Sequence, residues 1–312
     1  MRKWLQGILM IISIVLISIS IYSLMGMYGD YHKERQIHEH LIRLHELDRK
    51  PSEKKSNNDD TGDSSEETAV DETEEEIVID EGLFALHEEN PDCIYWIRIP
   101  DTQIDYPVLY HPQEKDYYLK KDFYGEYAYA GSIYLSEYCD PEESENLILY
   151  GHHMNNGSMF ANLELYKDQD FGRNHDRIEL QTMHGAEYYR VIAAFAVPVY
   201  TGTDFLFYGF TKAERKEEYD NFIMECKGRS LYEMTNTAVY KQRLLTLSTC
   251  EYSQKNGRMV VVGVLEEYSL KNMKSAEQSR KGRRNENEYE ETCTRSKEPC
   301  RSEEKRNKGQ QL

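Results

Sequence analysis

Hydrophobic residues are scarce in this chain, and only one long run of them occurs. They make up 39 % of the 312 residues, charged residues make up 30 %, and the mean hydropathy is −0.77. A protein that crosses a membrane several times is therefore excluded. The net charge is −18, and no basic patch is interleaved with aromatic residues. No nucleic-acid partner is predicted.

Closely spaced metal ligands are also missing. None of the six cysteines forms a C-x-x-C pair, so a structural zinc site is not expected, and no metal or cofactor is predicted. Cys293 and Cys300 are compatible with either a disulfide or two free thiols. Four histidines fall within residues 31–50, where a solvated helix face is favoured over metal binding; they are His32, His38, His40 and His45.

The single apolar run extends from Trp4 to Tyr28 without a charged residue, and it follows Arg2 and Lys3. Its 25 residues are long enough to span a hydrocarbon layer of about 30 Å. A cleaved signal peptide usually has a shorter apolar core, of about 7–15 residues. The run therefore predicts an uncleaved signal anchor at the cell membrane. The positive-inside bias places the N-terminus in the cytoplasm and everything after Asp30 outside the cell.

Composition divides the chain into four segments. Residues 1–30 form the predicted signal anchor, with the transmembrane part at 4–28. Residues 31–76 combine a short juxtamembrane helix with an acidic spacer that has almost no apolar residue to bury. Residues 77–268 hold the folded domain. Residues 269–312 are a charged tail that cannot form a core and is predicted to be disordered.

The folded segment contains eight short runs rich in β-branched and aromatic residues, which is typical of β-strands. Eight strands predict a mainly β fold, either a closed barrel or a sandwich. The runs are Ile94–Ile99, Ile104–Tyr110, Ser132–Leu135, Leu147–Tyr150, Arg177–Thr182, Tyr188–Val197, Arg243–Ser248 and Met259–Leu265. Helical patterns occur at Leu83–Glu89, Ser158–Asp168 and Thr211–Lys227. The last of these places Cys226 on an apolar face, as a core residue.

Cys250 differs from the other cysteines because it ends a predicted strand. A polar loop follows it, and the next strand starts near Arg258. In an antiparallel hairpin these two residues would lie side by side. A guanidinium favours the thiolate form of a cysteine, which is the nucleophile, and it can also donate to an oxyanion. The alternative is a buried small cysteine beside a surface arginine, and the pair alone does not decide between them.

A cysteine nucleophile needs a proton partner, usually a histidine from elsewhere in the chain. The adjacent pair His152 and His153 follows an apolar strand and Gly151, which permits a tight exit from the strand. Neighbouring residues on an extended chain point in opposite directions, so only one of the pair can enter a common site. Their positions in the sequence do not choose between them.

These segments resemble the motifs of class B sortases. The residues that carry the resemblance are Tyr150-Gly-His-His-Met154, Thr246-Leu-Ser-Thr-Cys250 and Arg258. Further similarity occurs in residues 90–99, 117–125 and 156–160, and the resemblance covers roughly residues 80–267. It implies an eight-stranded sortase β-barrel with N-terminal helices and a helix inserted before the catalytic cysteine strand.

The resemblance also assigns roles. Cys250 would be the nucleophile, His152 the proton donor and acceptor because the family histidine directly follows glycine, and Arg258 the oxyanion-stabilising residue. Ser248 and Thr249 would contact substrate. His153 would be a structural neighbour of the site. The segment 201–208 would correspond to a substrate-facing insertion.

The implied activity is that of a membrane-anchored cysteine transpeptidase. Such an enzyme cleaves a C-terminal sorting signal after Thr through a thioacyl-enzyme, and it transfers the surface protein to a peptide amine of a peptidoglycan precursor or cross-bridge. Two alternatives are a sortase-like endopeptidase that uses water as acceptor and a non-catalytic ectodomain that binds the cell wall. Analysis of the reaction products would distinguish the endopeptidase from the transpeptidase. The combination of Cys250, His152 and Arg258 argues against a non-catalytic ectodomain.

Overall fold

The structure is a computed structural model that describes residues 2–46, 80–199, 205–251 and 257–266. The predicted acidic spacer and charged tail, with Cys293 and Cys300, lie outside the described residues. The segment boundaries at 77 and 268 therefore stay predictions. The described residues belong to one compact unit, Met1–Glu266.

Within these residues, eight strands close into a barrel in the order β1-β2-β3-β4-β7-β8-β6-β5. This confirms the mainly β, eight-stranded architecture. Strands β2 and β3, and strands β4 and β7, pair in parallel, and the other neighbours are antiparallel. The strands are β1 (Cys93–Arg98), β2 (Asp105–Leu109), β3 (Ile133–Leu135), β4 (Asn146–Tyr150), β5 (Arg177–Thr182), β6 (Gly185–Pro198), β7 (Leu244–Glu251) and β8 (Gly257–Leu265).

In the described part of the chain, four α-helices and three 3₁₀ helices accompany the barrel. The α-helices are α1 (Arg2–Glu46), α2 (Glu81–Glu89), α3 (Gln169–Asn174) and α4 (Lys216–Arg229); the 3₁₀ helices are Tyr117–Lys120, Ala161–Lys167 and Phe207–Gly209. Helix α4 lies between β6 and β7 in the chain, as expected for a helix inserted before the cysteine strand. The helix predicted at Ser158–Asp168 forms instead as a 3₁₀ helix followed by α3.

Strand β8 is buried on both of its faces, which explains why nearly all of its residues are apolar. Eight of its nine residues are buried. Val260, Val262 and Val264 pack in one cluster with α4 residues that include Phe222 and Cys226. Helix α4 thus covers the barrel wall at this point. Cys226 is fully buried, which confirms its prediction as a core residue.

Helix α4 begins later than the sequence pattern predicts, at Lys216 instead of Thr211. The Asn146 backbone N–H donates to the Thr211 carbonyl at 3.0 Å, and the Asn146 side chain donates to the Phe210 carbonyl at 2.7 Å. These bonds hold residues 210–211 against the start of β4. A helix there would have to give up contacts with a fully buried asparagine.

The second part of α1 packs on the barrel. His38 stacks on Tyr106 with ring centroids 4.4 Å apart, and His45 stacks on Trp96 at 4.1 Å. Leu41, between them on the same helix face, is only 3 % exposed. The prediction of a solvated face was therefore wrong for these two histidines. Leu41 lies three residues after His38 and four residues before His45, so the three side chains share one packed face of the helix.

Residues 4–28 form the first part of α1, a single helix of 45 residues whose second part is charged. Within the described residues, we find no helix whose length and apolar character would allow it to cross a membrane. The structure therefore does not support the predicted transmembrane span.

Candidate active site

The ends of three neighbouring strands bring the predicted catalytic residues together. Tyr150 at the end of β4 is aligned with Ser248 on the parallel strand β7. His152 and Cys250 each follow two residues later, and between them the Gly151 backbone N–H donates to the Ser248 carbonyl at 3.3 Å. On the other side of β7, Cys250 pairs with Arg258 of the antiparallel strand β8. The hairpin pairing predicted from the sequence is confirmed.

These side chains line one cleft of about 730 Å³. His152, Cys250 and Arg258 lie along it, together with Ser248 and Thr249. The cleft therefore brings together all five residues that the sequence analysis assigned to the site.

His152 and His153 have different surroundings. Only His152 lines the cleft. The Nδ1–H of His153 donates to the backbone carbonyl of Cys250 at 3.0 Å, and Nδ1 also lies 3.9 Å from Glu164 Oε1. His153 thus ties the segment after β4 to the cysteine strand. The structure separates two histidines that the sequence pattern alone could not separate.

The cleft disfavours a charged imidazole at His152. Burial lowers the pKa of His152 below its ordinary value, and the positive charges of Lys120 and Arg258 lower this pKa further. A neutral imidazole is therefore favoured at neutral pH. Such a group can accept a proton, and as an imidazolium it is a strong donor.

Cys250 is the only cysteine among the described residues that is not buried. Burial raises the pKa of the thiols of Cys93 and Cys226 well above the ordinary range, and it raises the pKa of Cys139 to about 11. These three thiols are protonated and enclosed, so they are poor nucleophiles. Cys250 combines access to the cleft with an arginine directly across the strand pair.

Two hydroxyl groups beside Cys250 lack hydrogen-bond partners within the described part of the chain. Ser248 is 1 % exposed and Thr249 is 2 % exposed, and neither side-chain oxygen is paired. A buried hydroxyl without a partner is unfavourable by roughly 1–3 kcal/mol. A polar ligand in the cleft would remove part of that cost.

The chain from β4 to His152 passes through a crowded point at Gly151. A Cβ atom added there would lie 2.4 Å from Ile133 Cδ1 and 2.8 Å from Phe160 Cδ2. Phe160 is fully buried, and its backbone N–H donates to the His152 carbonyl at 3.0 Å. Glycine is required because Phe160 packs directly beneath the segment that carries His152.

Comparison with known proteins agrees with this geometry. A sequence model of the sortase domain matches residues 97–266. Sortase B of Listeria monocytogenes is 38 % identical over 184 residues, which are 58 % of this chain and 72 % of that protein.

The chain belongs to the sortase family.

Solved structures of class B sortases have the same fold. A Staphylococcus aureus sortase B–substrate complex is 31 % identical, with a TM-score of 0.55, and the match covers 60 % of this chain and 86 % of the other. A sortase B complexed with triglycine is 32 % identical, with a TM-score of 0.54, and the match covers 59 % and 85 % of the two chains. The chain is a class B sortase, a cysteine transpeptidase.

Part of this sortase cleft was not predicted from the sequence. Lys120, whose charge acts on His152, follows directly on Leu119, which lines the cleft. Glu137 and Tyr138 approach from the β3–β4 connection. For Lys120 and Leu119 the only sequence signal was the family-like segment 117–125, which carried no assigned role, and for Glu137 and Tyr138 the sequence analysis had no signal.

The substrate-facing segment inferred from the resemblance is partly described. Phe207 and Tyr208 line the cleft of this sortase, whereas residues 201–204 lie outside the described residues. Among the described residues, no cluster of three or more histidine, cysteine or acidic side chains could hold a metal ion.

Proposed function

We propose that this sortase cleaves a C-terminal sorting signal after Thr through a thioacyl-enzyme and transfers the surface protein to an amine of a cell-wall peptide. The observation that carries the proposal is the row of His152, Cys250 and Arg258 along one cleft. Partners of the same chemistry are named for its relatives, since one S. aureus sortase B was solved with substrate and another sortase B with triglycine.

In the first step, the Cys250 thiolate attacks the Thr carbonyl carbon, and the carbonyl oxygen becomes an oxyanion. The Arg258 guanidinium donates hydrogen bonds to that oxygen. The C–N bond then breaks, and protonated His152 gives its proton to the departing amine. The products of this step are a thioester on Cys250, a free amine on the released segment and a neutral His152.

In the second step, the acceptor amine attacks the thioester carbon. Neutral His152 takes the proton from the attacking nitrogen, and the C–S bond breaks. A new amide forms, and the Cys250 thiolate and the His152 imidazolium are restored. The lowered pKa of His152 implies that the ion pair is the minor form of the resting enzyme, since a neutral imidazole is favoured in the cleft.

Substrate binding is proposed to involve the buried polar wall beside the nucleophile. The unpaired Ser248 hydroxyl lies two residues before Cys250 on the same strand face, within reach of the same extended peptide. Thr249 contributes a second unpaired hydroxyl. An extended sorting signal can satisfy these groups with its backbone.

The site of action is also proposed. Peptide amines of the cell wall lie outside the cytoplasm, so the catalytic domain would have to face outwards. Protease treatment of intact cells tests this placement. Loss of the domain without cell lysis is expected, whereas complete protection would contradict it.

The decisive experiment uses the full chain, a panel of sorting-signal peptides and mass spectrometry. Half of the samples receive triglycine as acceptor. A thioacyl adduct on Cys250 that turns into a triglycine-linked product is expected from the wild type. Cys250→Ala should give neither, whereas Cys226→Ala, which removes a thiol outside the cleft, should give both.

Other outcomes have defined meanings. If the peptide is cleaved but only the free acid forms in the presence of triglycine, the enzyme hydrolyses the thioacyl intermediate and transfer to this amine is refuted. If a folded protein gives no adduct and no cleavage with any peptide, the proposed activity is refuted for the signals in the panel.

A further inference from the structure

The turn that follows His152 contains a strained residue. Met159 has a backbone φ of +56°, in the left-handed region that residues other than glycine rarely adopt. This conformation costs about 1–2 kcal/mol for a residue with a Cβ atom. Something in the surrounding structure must therefore hold Met159 in place.

The strained turn is bonded to both histidines. Met159 forms an isolated antiparallel bridge with His153, and the next residue, Phe160, donates its N–H to the His152 carbonyl at 3.0 Å. His153 in turn donates to the carbonyl of Cys250. The backbone position of His152 relative to Cys250 thus depends on the conformation of Met159.

One side chain from another strand holds this turn. The Met159 N–H donates to the hydroxyl oxygen of Tyr106 at 3.1 Å. Tyr106 lies on β2 and is only 7 % exposed, so its hydroxyl has a fixed position. His38 of α1 stacks on the ring of Tyr106, which connects the N-terminal helix to the same point.

We propose that Tyr106 is a positioning residue for the transpeptidase reaction. Its hydroxyl holds Met159 in the left-handed conformation, and the turn then keeps the His152 backbone beside Cys250. Tyr106 does not line the catalytic cleft, so its effect passes entirely through the turn. The inference rests on the proposed function, because it assumes that His152 moves the protons.

The first test compares Tyr106→Phe with Tyr219→Phe in the full chain. Each variant removes one buried tyrosine hydroxyl that bonds to the backbone, since Tyr219 donates to the Gln242 carbonyl at 2.7 Å. Each phenylalanine keeps the ring and therefore its packing. Tyr106→Phe is expected to lower kcat about tenfold, with KM within about twofold of wild type, because an unpaired Met159 N–H no longer holds the turn. Tyr219→Phe should leave kcat unchanged.

A second readout does not require activity. The pKa of His152 is followed by NMR in the free enzyme, with His152→Gln used to assign its signal. Lys120 and Arg258 face His152 from two other elements, and the Cys250 thiol lies in the same cleft. When the turn loosens, His152 gains contact with water, and its pKa should rise towards the ordinary value in Tyr106→Phe but not in Tyr219→Phe.

A rescue variant tests the strain directly. Glycine adopts a positive φ without steric cost, so Met159→Gly should stabilise the turn in the absence of the hydroxyl. The double variant Tyr106→Phe/Met159→Gly is expected to recover more than half of the lost kcat. A double variant no faster than Tyr106→Phe would overturn the inference.

The two proposals fail in distinguishable ways. If wild-type enzyme forms no product from any peptide, the proposed function fails, while the NMR comparison still decides the role of Tyr106. If wild type is active but kcat or the His152 pKa of Tyr106→Phe equals that of Tyr219→Phe, Tyr106 is not a positioning residue. Thermal unfolding of both variants shows whether their loss of stability is comparable.

Discussion

Replacing Gly151 by alanine should disturb the segment that carries His152. The added Cβ would approach Ile133 Cδ1 to 2.4 Å and Phe160 Cδ2 to 2.8 Å, which is closer than real Cβ atoms come. The Ile133 methyl group is the end of a flexible side chain and can rotate away. The Phe160 ring is fully buried, so it can move only together with its neighbours.

The expected cost is that of overpacking a core, about 1–3 kcal/mol. For a domain of this size, each kcal/mol lowers the melting temperature by roughly 2–4 °C, so a decrease of about 2–12 °C is expected. Because the Phe160 backbone N–H donates to the His152 carbonyl, a shift of the Phe160 backbone that accompanies its ring should also shift the histidine. Activity should therefore fall further than the loss of stability explains.

The assay combines thermal unfolding with steady-state transpeptidation at a temperature where every variant is folded. Gly228→Ala is the matched control because nothing lies within 4 Å of its added Cβ on α4. This control should be stabilised by about 0.5–1 kcal/mol, as expected for alanine within a helix.

A second substitution makes the explanation specific. Phe160→Leu provides room for the added methyl group, so Gly151→Ala/Phe160→Leu should be less destabilised than the sum of the single variants. Gly151→Ala with the melting temperature and kcat of wild type would refute the close packing of Gly151 on Phe160. Strict additivity in the double variant would show that the strain arises elsewhere.

Three further predictions concern the cleft. Arg258→Lys should lower kcat by about 10²–10³-fold with little change in melting temperature, because an ammonium lacks the planar pair of donors that stabilises an oxyanion. A kcat within threefold of wild type would contradict this role. Iodoacetamide should modify Cys250 in the native chain, whereas the buried Cys93, Cys139 and Cys226 should react only after the protein unfolds, as followed by peptide mapping. Labelling of all four cysteines at equal rates would contradict the burial of these three. His152 should reduce stability in acid: its folded-state pKa is lowered, so the unfolded chain binds a proton more readily and stability is lost as pH falls below about 6.5. Urea unfolding between about pH 7 and pH 5 should therefore show a smaller loss for His152→Gln than for wild type, and equal losses would contradict the lowered pKa.

The active-site hairpin could be predicted because it is local. Cys250 and Arg258 belong to consecutive strands joined by a short polar loop, and an antiparallel hairpin places such residues opposite each other. The number of strands was also accessible, since each one is a short run of β-branched and aromatic residues. Local patterns did not show that the Asn146 side chain bonds to residue 210, which delays the start of α4.

The choice between His152 and His153 required the tertiary structure. The pattern placed both after a strand, and only the resemblance to known sortases favoured the first. In the fold, β4 pairs in parallel with β7, and of the two histidines that follow β4 only His152 lines the cleft together with Cys250. A pairing between strands almost 100 residues apart leaves no mark in the local sequence.

By itself, the amino-acid sequence determined the strand-rich core, the cysteine at a strand end and the arginine across from it, since these follow from the side-chain preferences of neighbouring residues. The tertiary structure alone decided that α1 packs through His38 and His45 on the barrel, and that the Tyr106 hydroxyl accepts from the Met159 N–H in the turn that follows His152. Such contacts join residues distant in the chain, and they exist only once the closed barrel brings β2, the Met159 turn and the N-terminal helix together.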